Sequence, residues 1–368
     1  MQTIPHRALG ATGIRVSALC LGTMSFGART SFAEAGRIAA AARDAGINFI
    51  DTADVNAGGD SERTIGRLVR CDRTRWVLAT KFGNRFWPGP NRAGLGRKWL
   101  MESLHTSLRR LATDTIDLFY LDWDDASTPL DETVWTLGQA IHQGAIRAWG
   151  FSNFAAWRIP ELIAVSDRLG VDRPIAAQPC YNALTRTAEA EYLPACRHFG
   201  IGVVPYSPLA RGVLTAKYQA GRPPPRGSRA WHRDARLFET EYRGESLRLA
   251  GALKTHAESR GMTAVEFAVA WLLNNEIVTS VVAGPRTRRQ WMGYLTAPAR
   301  TISPEDEAFV DGLVAPGSAS TPGYRDPRSP VAGRVPRSDP SVETSRPRVP
   351  PGASVMDSAS RARSRAAR

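Results

Sequence analysis

Lysine is nearly missing from this chain: 44 of its 48 basic residues are Arg and four are Lys. So complete a skew reads as compositional bias rather than a patch built for phosphate, and no aromatic-interleaved basic motif accompanies the formal charge of +13. A nucleic-acid partner is therefore not expected. Cysteine is also scarce. Cys20, Cys71, Cys180 and Cys196 form no C-x-x-C pair and sit in apolar segments, which fits buried, reduced thiols of a cytoplasmic protein rather than a disulfide framework. Residues 1–10 lack an apolar signal region, and the longest apolar helical stretch, Ala264 to Leu273, falls far short of a bilayer span, so no membrane association is expected. No G-x-G-x-x-G follows a strand and opens a helix, which argues against a doubly wound dinucleotide domain. The six His are dispersed without H-x-H or H-E-x-x-H, so no metal site is expected.

What the chain does have is length and alternation. With 368 residues and 43% apolar content it can form one large α/β barrel or two smaller domains. Strand-like runs at 18–21, 49–51, 77–81, 118–121, 145–150, 175–178, 202–206 and 278–283 alternate with amphipathic segments at 32–45, 97–111, 130–143 and 189–198. That alternation predicts a parallel sheet wrapped by helices, and eight strands is the barrel number. Ser61 and Ser303 stand where helix N-caps are expected, Pro304 following the second at the first helical position. Residues 7–16 predict a hairpin ahead of the first barrel strand, and the Pro-, Gly- and Arg-rich insertion 210–244 would overhang the barrel's C-terminal face. The division expected is a barrel over 1–314 and a Pro/Arg/Ser-rich tail over 315–368, largely disordered because its ten Arg and nine Pro come with little aliphatic material.

Two of the runs end in charge. Phe49-Ile50-Asp51-Thr52-Ala53-Asp54 and Val77-Leu78-Ala79-Thr80-Lys81 bring a carboxylate and an ammonium to one end of the sheet. Such groups are costly to desolvate, and that end of a (β/α)8 barrel is where its chemistry is done.

Several stretches occur in order around the eight strands: Leu21-Gly22-Thr23-Met24, Phe49-Ile50-Asp51-Thr52-Ala53, Ala79-Thr80-Lys81-Phe82-Gly83, Gly150-Phe151-Ser152-Asn153-Phe154, Gln178-Pro179-Cys180-Tyr181-Asn182, Tyr206-Ser207-Pro208-Leu209-Ala210-Arg211-Gly212 and Gly284-Pro285-Arg286-Thr287. In these the chain resembles the aldo-keto reductase family, from residue 7 to about residue 330. The resemblance implies a (β/α)8 barrel that binds NADPH/NADP at its C-terminal face, passes hydride between the nicotinamide and a small-molecule carbonyl, and uses a tetrad of Asp, Tyr, Lys and His. Asp51 and Lys81 match two members. The expected Tyr is Asn56 and the expected His is Asp122.

Asn56 can donate a hydrogen bond but supplies no proton at neutral pH. If Asp51, Lys81 and Asp122 converge, two carboxylates share one cation, and repulsion with partial burial should raise the pKa of one. Asp122 then serves as a substitute acid, or else it is a solvated loop carboxylate. By resemblance, Ser152, Asn153 and Gln178 hold the carboxamide and Tyr206 stacks on the nicotinamide. Gly22, Thr23 and Met24 line the ribose side beside Asp51, while Ser207, Leu209, Arg211, Gly212 and Leu214 follow the pyrophosphate. Gly284, Arg286 and Gln290 face the adenosine, Arg286 taking the 2′-phosphate. Trp87, Trp99, Trp123 and Trp231 are candidates for the edge of a substrate pocket; His105 and His198 are expected at the surface and Tyr120 in the barrel interior. Two readings follow: an NADPH-dependent oxidoreductase with an altered proton donor, or a catalytically impaired NADP(H)-binding module.

Overall fold

The computed structural model of the protein describes residues 4–84 and 89–328. Trp87 and the residues from 329 onward lie outside them. The strands run β1 (His6–Ala8), β2 (Arg15–Ser17), β3 (Leu19–Gly22), β4 (Phe49–Asp51), β5 (Val77–Phe82), β6 (Ile116–Leu121), β7 (Ile146–Ser152), β8 (Ala176–Gln178), β9 (Gly202–Val203) and β10 (Val281–Ala283). The last eight pair in parallel in the order β10-β3-β4-β5-β6-β7-β8-β9. Val203 bridges Val278, and the Val282 N–H donates to the Pro205 carbonyl at 3.0 Å, so the two edges meet and the sheet closes into a barrel. Closure follows from composition. Strands such as β6 are buried at every position, so both faces must be covered, one by the barrel interior and one by helices.

Side chains from alternate strand positions fill the interior: Cys20, Phe49, Ala79, Leu118, Tyr120, Ala176 and Val204 form one cluster with Leu9 and Val16. Those last two place the β1–β2 hairpin across the N-terminal end of the barrel as a plug. Gly150 shows how tight the filling is. A Cβ there would stand 2.4 Å from the Ala176 carbonyl oxygen and 2.8 Å from the Tyr120 ring. Between sheet and helices lies a second apolar layer, in which Phe82 and Phe119 stack at 4.8 Å. Each such large side chain contributes about 1.5–3 kcal/mol by burial.

Several sequence expectations change. Ser61 does not cap its helix: the helix Asp60–Val69 is entered through left-handed Gly59, and the Ser61 hydroxyl turns inward to the Thr23 carbonyl at 2.8 Å. Ser303 does cap Pro304–Leu313, in a capping box with Asp306. Trp99 is buried in the helix Arg97–Leu111 and edges no pocket, and Cys71 is exposed. His105 and His198 are exposed, and Tyr120 is fully buried.

The segment Ala315–Arg328, assigned to the tail, is tied to the barrel. Ser318 O accepts from the Arg186 N–H and the Ser320 N–H donates to Leu184 O, both at 2.8 Å. Arg243 donates to Thr321 and covers the Tyr324 ring at 3.8 Å, while Arg236 pairs with Asp326. Polar contacts rather than apolar burial hold this stretch, so a composition argument overlooks it. Among the described residues, no helix is long and apolar enough to cross a membrane and no group of His, Cys, Asp and Glu is arranged to hold a metal.

Candidate active site

Strand register gathers the charged residues. Gly22 stands opposite Asp51, Asp51 opposite Ala79, and Lys81 opposite Tyr120, which places Asp51 and Lys81 at one end of neighbouring strands. Their side chains meet at 2.5 Å, and each residue is more than nine-tenths buried. The Lys81 ammonium also donates to Thr52 O at 2.8 Å, and Gln178 Nε2 donates to the second Asp51 oxygen at 2.9 Å. Both Asp51 oxygens are thus engaged, which is what a buried carboxylate needs to remain charged.

Asp122 follows β6 directly, and its backbone N–H donates to Phe82 O at 2.8 Å. The residue is partly exposed, yet its carboxyl is enclosed enough that burial pushes the pKa up to about 6; Lys81 and a hydrogen bond from Asn84 pull it down, Asp51 pushes it up. The direction is the one expected from sequence, but burial leads and the repulsion by Asp51 is secondary. Asn56 opens a short turn after β4, is partly exposed, and is followed by left-handed Ala57, Gly58 and Gly59. Gly59, at φ 92°, lies in the left-handed region that favours glycine, and a Cβ there would stand 2.4 Å from the Arg110 guanidinium carbon and push that side chain aside. Arg110 in turn donates to Asp54 O at 3.0 Å and to Glu62 Oε2 at 3.1 Å, clamping the turn from below.

Asp54, which the sequence did not single out, is 3% exposed, and its Oδ1 finds no hydrogen-bond partner among the described residues. Burial raises its pKa well above the usual range, with Glu62 and Asp122 adding to the effect.

The polar groups expected around a carboxamide form a continuous chain of their own. The Ser152 hydroxyl donates to Gln178 O at 2.7 Å. Asn153, itself left-handed at φ 58°, donates to Asp122 O at 2.9 Å and accepts from the Tyr206 hydroxyl at 2.9 Å. One side chain, Asn153, thus joins the Tyr206 hydroxyl to the Asp122 backbone carbonyl. Thr23 donates to Asp51 O at 3.0 Å beside buried Gly22, whereas Met24 is 47% exposed.

Beyond Tyr206 the loop turns through left-handed Ser207, Ala210, Arg211 and Gly212, with Leu209 and Leu214 buried in the core. Arg211 acts on Glu241, Cys180 and Tyr206, and its Nε has no partner among the described residues. Gly212 makes room for a neighbour not read from the sequence: a Cβ at that position would stand 2.7 Å from Lys217 Nζ. The Lys217 pKa is lowered to about 8, first by burial and then by Arg286 and Arg229. Arg286 donates to Gly227 O at 2.7 Å and is itself acted on by Arg229 and Arg29. The backbone N–H of Arg286 donates to Gln290, and Gly284 is exposed just before it. Asp234 bonds both Arg229 and Arg29. Lys217 and Arg286 thus have cationic neighbours and no carboxylate partner among the described residues, while Asp234 answers only Arg229 and Arg29, and that excess of positive charge fits an anion of more than one charge.

Lys217, Arg229 and Arg29 join Asp54 among the residues that sequence reasoning missed. Lysine scarcity was the available signal. Of the four lysines, Lys81 and Lys217 are buried or half-buried near the site, while Lys98 and Lys254 pair with Glu102 and Glu258 at the surface, so scarcity narrows the search without deciding it.

The comparisons with known proteins agree with this geometry. A sequence model described as "Aldo/keto reductase family" matches residues 18–315. A protein of Oryza sativa subsp. japonica described as "Probable voltage-gated potassium channel subunit beta" is 35% identical over 329 residues, 87% of this chain and 99% of the relative. One of the same description from Arabidopsis thaliana is 38% identical over 292 residues, 77% of this chain and 88% of the relative. With a match of that extent laid over a closed eight-stranded barrel, the chain belongs to the aldo/keto reductase family, a family of oxidoreductases.

Proposed function

We propose that this protein is an NADPH-dependent oxidoreductase acting on a small-molecule carbonyl or the corresponding alcohol, with Asp122 as the proton donor. The observation that carries the reading is the Asp122 carboxyl, enclosed beside the Lys81–Asp51 pair with its pKa raised to about 6. The donor set fits NADPH: Lys217, Arg229, Arg286 and Arg29 form a multiply cationic lining for its phosphates. When bound, the reduced nicotinamide supplies hydride. The remaining work falls to the chain. Asp122 gives its proton to the carbonyl oxygen and becomes a carboxylate, whose charge Lys81 offsets. Lys81 uses two of its three ammonium protons on Asp51 and Thr52, leaving one for an incoming oxygen. Asn56 offers that oxygen an amide hydrogen bond but no proton. The free cysteines are consistent with a cytoplasmic setting.

A second reading is an NADP(H)-binding module without turnover that serves a partner. It is favoured by Asn56 in the proton-donor position and by the description of the two relatives. Calorimetric titration with NADPH and NADP, followed by single-turnover loss of NADPH absorbance against aldehydes, ketones and quinones, separates the two. Tight binding with no oxidation across the panel favours the module. Failure to bind either nucleotide overturns both.

A further inference from the structure

We infer that a cleft in the helical layer, lined by none of the candidate active-site residues, binds a small organic ammonium ion, with Glu307 as its counter-charge. The cleft has a volume of about 270 Å³ and lies among the helix Ala264–Asn274, the helix Pro304–Leu313 and the turn Thr187–Glu189. Its two aromatic lining residues, Tyr181 and Trp271, belong to the apolar layer between sheet and helices. Their ring centroids stand 5.5 Å apart at an interplanar angle of 50°. Each ring carries a polar tip that is already spoken for: the Tyr181 hydroxyl donates to Glu189 at 2.7 Å, and Trp271 Nε1 donates to Glu307 at 2.7 Å. The site is therefore built from side chains whose orientations are fixed before any ligand arrives.

Charge decides what such a cleft takes. Arg186 is the cation of the lining, and it is spent: Nε donates to Glu189 at 2.9 Å, Nη1 donates to Asp311 at 2.6 Å and to Val314 O at 2.7 Å, and the guanidinium covers the Trp271 ring at 5.3 Å. Glu307 is different. It is half-buried, its oxygens accept from the uncharged donors Trp271 Nε1 and Asn274 Nδ2, the latter at 2.6 Å, and no Lys or Arg pairs with it among the described residues. One guanidinium thus answers Glu189 and Asp311 together while Glu307 has no cation, so positive charge is what the cleft lacks. A carboxylate offers about four lone-pair sites, and Glu307 has filled two, which leaves it free to accept from an ammonium. An ammonium beside Tyr181 and Trp271 also gains from the negative faces of their rings. A metal ion fits less well, because no group of three or more His, Cys, Asp and Glu is gathered to hold one among the described residues. The volume lies just under the range of about 300–1,000 Å³ typical of ligand pockets, so the occupant is small.

The test is NMR titration of the full chain labelled with ¹⁵N, at neutral pH and without any nucleotide, so that its outcome is independent of the oxidoreductase reading. The probes are 2-phenylethylamine, which is an ammonium at that pH, and two partners of the same shape, neutral 2-phenylethanol and anionic phenylacetate. The readout is the Trp271 indole N–H, which donates to Glu307 and is assigned by its loss in Trp271→Phe. The amine should shift that signal saturably, with a Kd on the order of 1 mM or tighter. The alcohol should bind about tenfold more weakly or worse, and phenylacetate should leave the signal in place. In Glu307→Gln the affinity for the amine should fall about tenfold or more. A wild-type signal that ignores the amine up to about 10 mM, or one that responds to all three probes alike, overturns the site, and neither result needs a variant to fold. Undiminished affinity for the amine in Glu307→Gln also overturns it, because the counter-charge would then have no part in binding.

Discussion

The affinity for NADPH should weaken as pH rises through 8, and Lys217 is the reason. In the free protein its pKa is lowered to about 8, first by burial and then by Arg286 and Arg229. No carboxylate pairs with it among the described residues; its nearest aromatic neighbour is the Tyr218 ring at 5.2 Å. A bound phosphate stabilises the ammonium form, so binding above pH 8 must take up a proton. The sign is fixed by that uptake: affinity is full below pH 8 and declines above it. If binding requires the charged form, the loss between pH 7 and pH 9 is about tenfold, or about 1.4 kcal/mol. The neighbouring guanidiniums stay charged throughout this window, so they add no slope. Isothermal titration at pH 7, 8 and 9, in buffers of different ionisation enthalpy, measures both the affinity and the proton uptake. Lys217→Gln should bind more weakly at pH 7 and show a flat profile. A wild-type affinity constant from pH 7 to 9, or a slope that survives in Lys217→Gln, would refute the reasoning.

Asp122→Asn should slow single-turnover aldehyde reduction by about a hundredfold or more, measured by NADPH absorbance. The same variant should be more stable than wild type at pH 8. A carboxyl whose folded pKa of about 6 lies above its usual 3.8 costs the folded state on the order of 2–3 kcal/mol once ionised, and nothing when protonated. Urea midpoints at pH 8 and pH 3.5 check this, with the difference confined to the higher pH. Asn56→Tyr combined with Asp122→His should raise carbonyl reduction by about a hundredfold, read as kcat/KM on the same aldehydes; no gain would mean that the pocket itself has drifted. Asp51→Asn leaves the Lys81 cation buried without its counter-charge, and should cost about 3–5 kcal/mol in denaturant unfolding.

The barrel was readable because its strands are apolar on both faces and regularly spaced. Their ends were less so. The run 202–206 pairs as a regular strand only over Gly202–Val203, since Pro205 has no N–H to donate to the ladder, although Tyr206 still bonds Pro179 O at 3.0 Å. Asp51 and Lys81 were legible from charge at strand ends, and Asp122 only through the resemblance, as the residue standing where a His is expected. Asp54 was not, because no periodicity distinguishes a buried loop carboxylate from a solvated one. Lys217 lay hidden in an insertion whose Pro, Gly and Arg content signals only irregular backbone. Ser61 shows the limit of local rules: its hydroxyl fits an N-cap, yet the barrel end offers it the Thr23 carbonyl instead.

The stretch from Ala315 to Arg328 has a practical bearing on how the domain is delimited. A version ending at residue 315, where the family match stops, would leave the Arg186 N–H and the Leu184 carbonyl without their backbone partners and expose one face of Arg243 and Arg236. Expression boundaries drawn from family alignment alone would therefore cut through a seam the fold has already sewn shut, and an excised barrel should be judged against one that extends to Arg328.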